Sequence, residues 1–125
     1  MTPPLLNGVV VGHGSVAAAL VAAAEQISGV RDALIAVTNL DCDRANLEAR
    51  VQSAVGEGPA IVFVDLPTGS CFFAAMRGLG RLPYARVVTG VNLTMLVDFV
   101  FHRTASLDLA AARARDVGTR AIAGT

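Results

Sequence analysis

Short unbroken apolar runs alternate along this chain with longer stretches in which apolar residues recur at helical spacing. The first run, Leu6 to Val11, predicts a strand that ends in Gly12-His13-Gly14. The small-residue stretch Ser15 to Ile27 predicts a helix, with Ser15 as its N-cap and Gly29 as its stop. A second strand is expected at about Ala33–Val37. Asp43 then caps a helix reaching about Ala54, with Leu47 and Val51 on its inner face. Ala60-Ile61-Val62-Phe63-Val64 is apolar without interruption until Asp65, the pattern of a central parallel strand buried on both faces.

The second half repeats the alternation. A helix from Ser70 or Cys71 to Leu79 sets Phe72, Ala75, Met76 and Leu79 on one face, and Gly78, Gly80 and Pro83 break it. A fourth strand is expected at about Ala85–Thr89. Leu93 to Phe101 is apolar on so much of its circumference that it predicts a buried helix. Ser106 caps a more polar helix, Leu107 to Val117, which Gly118 ends; Arg120–Ala123 reads as a short last strand. Alternating elements with short connections predict an α/β fold with a mostly parallel sheet. Such sheets bind ligands beyond the strand C-termini, where neighbouring connections leave on opposite faces. With strands one and three adjacent, His13 and Asp65 would meet there.

Length and charge narrow the classes. A chain of 125 residues suits a single domain, 1–125. A formal net charge of zero, with no Lys/Arg cluster, excludes the electrostatic footprint of a nucleic-acid binder. Hydrophobic residues make up 54% of the chain and the mean hydropathy is +0.58, a surplus that predicts a buried subunit interface. No apolar run approaches the ~20 residues of a membrane span, and Met1-Thr2-Pro3-Pro4 lacks the basic start of a signal peptide, so a cytoplasmic protein is expected. The spacing of Cys42 and Cys71 is neither a metal-ligand nor a redox pattern, and no disulfide and no metal are expected.

The chemistry gathers at the strand ends. Asp65 is the only charge in its strand. A carboxylate that accepts a hydrogen bond from one imidazole nitrogen fixes the tautomer and leaves the other nitrogen free to attack. His13 then becomes an oriented nucleophile. Gly14 and Ser15 at the start of the first helix, and Gly69 and Ser70 at the start of the third, offer N–H and hydroxyl groups to phosphoryl oxygens. Taken singly, Gly-x-Gly is equally a generic turn, Asp65 a turn or capping residue and Ser70 an N-cap.

Together, Val-Val-Gly-His13-Gly, Val62-Phe63-Val64-Asp65 with Gly69-Ser70 and Phe72, Ala74-Ala75, and Val88-Thr89-Gly90-Val91-Asn92-Leu93 with Met95-Leu96 resemble the mannose-type enzyme IIA domain of the bacterial phosphoenolpyruvate-dependent sugar phosphotransferase system. The likeness covers nearly the whole chain in order. It implies a three-layer fold with a parallel sheet in the order 2-1-3-4 and a C-terminal antiparallel strand exchanged in a homodimer. It also implies that His13 accepts a phosphoryl group from the phosphocarrier HPr and passes it to a IIB partner, with indirect association to membrane IIC and IID components and no cofactor. Asp65 matches the carboxylate that orients the histidine, and Ser70 the serine near the phosphoryl group. Asn92 and Leu93 fall in the loop after strand four, part of the partner surface. The chain departs from the family's Gly-Gly-Ser-Pro-Phe-Asn at Thr68, Cys71 and Phe73, and from Gly-Val-Asn-Leu-Pro at Thr94. Phe73 bears on which partner is chosen and on transport versus regulation.

Three rival readings stand beside this one. Gly-His-Gly-Ser also resembles the opening of small tetrapyrrole metal chelatases, which need further metal- or proton-handling groups; the other histidine, His102, reads as a helix C-terminal residue. Gly12-x-Gly14 mimics a dinucleotide fingerprint, but no acidic residue ends the second strand and no Walker lysine is present. A non-catalytic interaction domain of this fold is the third, and the presence of His13, Asp65 and Ser70 together speaks against it; within the IIA reading itself, a regulatory, non-transport paralogue is the alternative to a transport component.

Overall fold

The computed structural model describes residues 4–79 and 83–125. Its strands are β1 (Asn7–Gly12), β2 (Leu34–Thr38), β3 (Ala60–Val64) and β4 (Ala85–Thr89), and its helices α1 (Val16–Ser28), α2 (Arg44–Val55), α3 (Ser70–Leu79), α4 (Leu93–Phe99) and α5 (Leu107–Arg120). The strands lie parallel in the order β2-β1-β3-β4. This is the α/β sheet expected from the hydropathy pattern, with helices on both faces.

Alternation along each strand sends neighbouring side chains to opposite faces. Val10, Ile61 and Phe63 join α1, α4 and α5 in one core, while Val9, Val11, Val62 and Val64 join α2 and α3 in the other. Every residue of β3 is therefore buried, which is why its sequence is apolar without a break. Phe63 meets Phe99 of α4 edge-on, with ring centroids 5.2 Å apart. The chain leaves β1 into α1 on one face and β3 into α3 on the other. That divergence opens a crevice at the C-terminal rim between adjacent strands.

Several local expectations are corrected. Ser15 holds the N-cap position of α1, but its side chain makes no capping bond. Gly78 does not break α3; it lies inside it. Gly80 and residues 1–3 lie outside the described residues. α4 ends at Phe99, and Phe101 is exposed.

Gly118 does not end the last helix, which runs to Arg120. It is buried where α5 crosses α4: a Cβ there would collide with the Met95 side chain, and its carbonyl accepts a bond from Asn92 Nδ2 at 2.9 Å. A glycine needed for close approach carries the same letter as a glycine that stops a helix. The expected strand at Arg120–Ala123 is accordingly helical at its first residue, and residues 121–125 form no strand within the chain. Among the described residues, no helix is long and apolar enough to cross a membrane.

Candidate functional site

After β1 the chain turns at once. Gly14 adopts φ of 59°, a left-handed conformation that strains other residues. The Val16 N–H donates to the His13 carbonyl at 3.2 Å and closes the turn. The loop after β2 holds it from the side: Asn39 Oδ1 accepts the Gly14 N–H at 3.1 Å, and Thr38 Oγ1 donates to the Gly14 carbonyl at 2.7 Å. Arg50 of α2 steadies that loop by donating to the Thr38 and Leu40 carbonyls, each at 2.9 Å. Sequence reasoning missed Thr38, Asn39 and Arg50. The available signal was a polar Thr-Asn pair at the end of a strand in the same sheet as β1.

Asp65 follows β3, and its N–H donates to the Val11 carbonyl at 3.1 Å, so the β1–β3 ladder continues to the rim. One carboxylate oxygen, Oδ2, accepts both the His13 backbone N–H at 2.9 Å and His13 Nδ1 at 2.7 Å. The other, Oδ1, accepts the Leu66 N–H at 2.9 Å. An ionised carboxylate can only accept, so the short ring contact puts the imidazole proton on Nδ1 and leaves the lone pair on Nε2. Burial raises the Asp65 pKa. The bonds from the His13 backbone and ring, the His13 charge and the Leu66 N–H outweigh it and hold the carboxyl below its ordinary value. The Asp65 side chain is 12% exposed and that of His13 40%.

Nε2 faces the start of α3. Ser70 Oγ lies 3.5 Å from it, and a Cβ built on Gly69 would sit 3.8 Å away. The Phe73 N–H is the first to be taken up inside this stretch, by the Gly69 carbonyl at 3.0 Å. The N–H groups of Ser70, Cys71 and Phe72 are thus first-turn donors with no partner within the helix, beside the ring. Cys71 is buried; burial first, then the Asp65 charge, push its thiol up to about 11, so it is protonated near neutral pH. A ligand atom from each of His13, Asp65 and Cys71 lies within 4.8 Å of the others, a grouping that the cysteine spacing gave no hint of.

The remaining candidates are placed differently. Ser15 is exposed next to the His13 turn. Asn92 shares the rim, but its side chain is engaged: Oδ1 caps α4 at the Met95 N–H, 3.0 Å away, and Nδ2 reaches Gly118. Leu93 packs partly buried against the α1/α4/α5 core. His102 lies beyond the far end of α4, close to Arg103, whose carbonyl accepts the Leu6 N–H ahead of β1; it is at the opposite end of the sheet from His13. The ligands a chelatase would need do not converge from the two histidines.

An open groove of about 790 Å³ lies between β2 and α2, lined by residues such as Ile35, Cys42, Asn46 and Arg50 and not by His13. The histidine stands on an open rim instead.

A family model described as "PTS system fructose IIA component", EIIA-man, matches residues 8–115. Among solved structures, the mannose/sorbose-specific IIA subunit of the phosphotransferase system from Enterococcus faecalis is similar over 100% of this chain and 96% of its own, at 28% identity and a TM-score of 0.80. The phosphotransferase system component EIIA from Streptococcus agalactiae is similar over 96% of this chain and 97% of its own, with 19% identity and a TM-score of 0.88. A sigma-54 interaction domain protein from Enterococcus faecalis shares the fold at 12% identity, with a TM-score of 0.77 and coverage of 96% and 95%. No curated protein matches the chain in sequence.

Proposed function

The chain belongs to the EIIA-man family of sugar phosphotransferase-system components, and from that premise we propose that His13 takes a phosphoryl group from phospho-HPr and hands it to a IIB component. The observation that carries this reading is the pair formed by His13 Nδ1 and Asp65 Oδ2 at 2.7 Å, which leaves Nε2 as the nucleophile on the open rim. The Nε2 lone pair attacks the phosphorus of the donor phosphohistidine, the donor P–N bond breaks, and the phosphoryl group ends on Nε2. The ring then carries positive charge, which Asp65 stabilises through Nδ1–H. Ser70 Oγ and the first N–H groups of α3 are the donors for the equatorial oxygens. Transfer between two histidines is nearly symmetric in chemistry, so alignment supplies most of the catalysis.

The open setting of His13 supports a protein-borne substrate rather than a small molecule held in a pocket. Leu66, Phe73 and Met76, exposed on the loop and helix that border the site, provide an apolar collar for such partners. Phe73 stands where the family pattern has a polar residue and is the side chain best placed to select the IIB partner. Association with IIC and IID, and hence with a membrane, would follow through that partner.

Homodimer formation belongs to the same reading. Ile122 is 79% exposed beyond α5, and residues 121–125 have no strand partner within the chain. Removal of residues 121–125 is expected to convert the dimer to monomer or aggregate by sedimentation; a truncated chain that stayed a native dimer would refute the exchange. The decisive experiment for the carrier role is labelling with purified phospho-HPr, followed by NMR assignment of the phosphorylated nitrogen. Phosphate on Nε2 of His13 is the expected result, and phosphate retained by His13→Ala would overturn it.

A further inference from the structure

We propose that His13, Asp65 and Cys71 form a binding site for a soft divalent cation of the Zn²⁺ class, and that the bound cation blocks the phosphoryl acceptor. The three residues come from the ends of β1 and β3 and the start of α3, and their ligand atoms lie within 4.8 Å of one another. They supply one nitrogen, one oxygen and one sulfur, a donor set that suits Zn²⁺ and does not suit Mg²⁺, which prefers oxygen. Zinc bond lengths of about 2.0–2.3 Å put tetrahedral donors roughly 3.3–3.8 Å apart. The cluster reaches that spacing by side-chain shifts of about 1 Å. With Nδ1 as the ligand, the short Nδ1–Oδ2 contact widens as the cation replaces the proton between them; with either nitrogen the Cys71 sulfur closes in.

The balance of the step is simple. Cys71 gives up its thiol proton to solvent, Asp65 binds as the carboxylate, and His13 binds through its one lone pair. If Nδ1 is the ligand, its proton moves to Nε2; if Nε2 is the ligand, its lone pair is consumed directly. Either way the neutral imidazole keeps no lone pair with which to attack phosphorus. Metal binding and phosphorylation are mutually exclusive. Three protein ligands leave a fourth position for water. Cys71 is one of the positions where this chain departs from the family pattern, so the device is specific to chains that carry a thiol there.

The blocking effect rests on the carrier reading above; the binding does not, and the two are measured separately. The intact chain is titrated with Co²⁺ as a spectroscopic stand-in, then with Zn²⁺ in competition. A thiolate-to-cobalt charge-transfer band is expected in the wild type and in Cys42→Ser, and is expected to vanish in Cys71→Ala. Cys71→Ser should bind at least tenfold more weakly. Absence of the band in the wild type, or its persistence in a folded Cys71→Ala, overturns the site. In the second arm, Zn²⁺ should slow labelling of the wild type by purified phospho-HPr at least tenfold, reversibly on chelation. It should slow Cys71→Ala less than twofold relative to that variant's own metal-free rate. Equal slowing of both proteins would overturn the block. A wild type that is not labelled even without metal refutes the carrier reading and leaves the cobalt band to decide the site.

Discussion

The two histidines of this chain sit at opposite ends of the sheet, and each has an aspartate beside it, yet the two pairs are built for different ends. Asp65 is dedicated to His13: Oδ2 accepts both the backbone N–H and the ring Nδ1, and among the described residues no arginine competes for it. Asp98 is claimed by Arg113, which grips both carboxylate oxygens at 2.8 Å and holds α4 to α5. His102 is left to donate Nδ1 to the Asp98 carbonyl at 2.8 Å, with the carboxylate oxygen 3.5 Å away. It closes a helix end, as its sequence position suggested. A histidine–aspartate pair is therefore not a functional signature until the carboxylate's other partners are counted. The Arg113 bond, opposed by partial burial, holds the Asp98 carboxyl below its ordinary value, whereas His13 itself does this for Asp65.

The sharpest way to break the comparison is to remove each ring. His13→Ala is expected to abolish labelling by phospho-HPr, and His102→Ala to leave its rate within about twofold. The His13→Ala fold should lose no more than about 1 kcal/mol by thermal melting, because the residue-13 backbone N–H still satisfies Asp65 and an exposed ring contributes little packing. Loss of labelling in both variants would mean that the two ends are coupled.

The carboxylates come next. Asp65→Asn should slow phosphoryl transfer on the order of 10- to 100-fold, as removal of the group that orients a reactive imidazole does. Asp98→Asn should leave transfer unchanged and lower the melting temperature by loosening α4 from α5. Transfer kinetics and melting curves for both variants test the crossed pattern; a kinetic defect in Asp98→Asn would contradict it.

A smaller effect is expected from the polar brace behind the His13 turn. Asn39→Ala removes the acceptor for the Gly14 N–H and should slow transfer by less than about 10-fold, since Thr38 still holds the Gly14 carbonyl. A defect as large as that of Asp65→Asn would make the brace, rather than the carboxylate, the main source of orientation.

The smallest effect is the pH dependence. Because the folded-state Asp65 pKa is lowered, its contribution to stability is complete above the unfolded value of about 3.9 and is lost as pH falls through the folded value. The stability gap between wild type and Asp65→Asn should therefore shrink as pH falls below about 4. Asp98→Asn should follow the same trend, with α4–α5 docking as the readout. A gap that widened on acidification would reverse the sign of the Asp65 interaction.

Much of this was legible in the letters, for local reasons. The five-residue run Ala60–Val64 announced two-sided burial, because only a strand covered on both faces can be apolar at every position. Asp43 and Ser106 were readable as caps and do cap, with Asn46 N–H at 2.8 Å and Leu109 N–H at 3.3 Å. His13 and Asp65 were readable as strand-end residues on the rim where such sheets carry their chemistry.

Hydropathy and spacing alone could not determine relations between residues distant in the chain; the sheet order came from the family resemblance. That β1 lies against β3 is set by the packing of all the helices at once; only then do His13 and Asp65, 52 residues apart, share an oxygen. The same holds for Asn39 on the Gly14 turn, for Gly118 under Met95, and for the Cys71 sulfur arriving beside His13 and Asp65. Hydropathy rhythm reports which face of an element is buried, because that depends on neighbours one turn or two residues away. The identity of the atom met across the crevice depends on strand order and register, which belong to the folded chain as a whole.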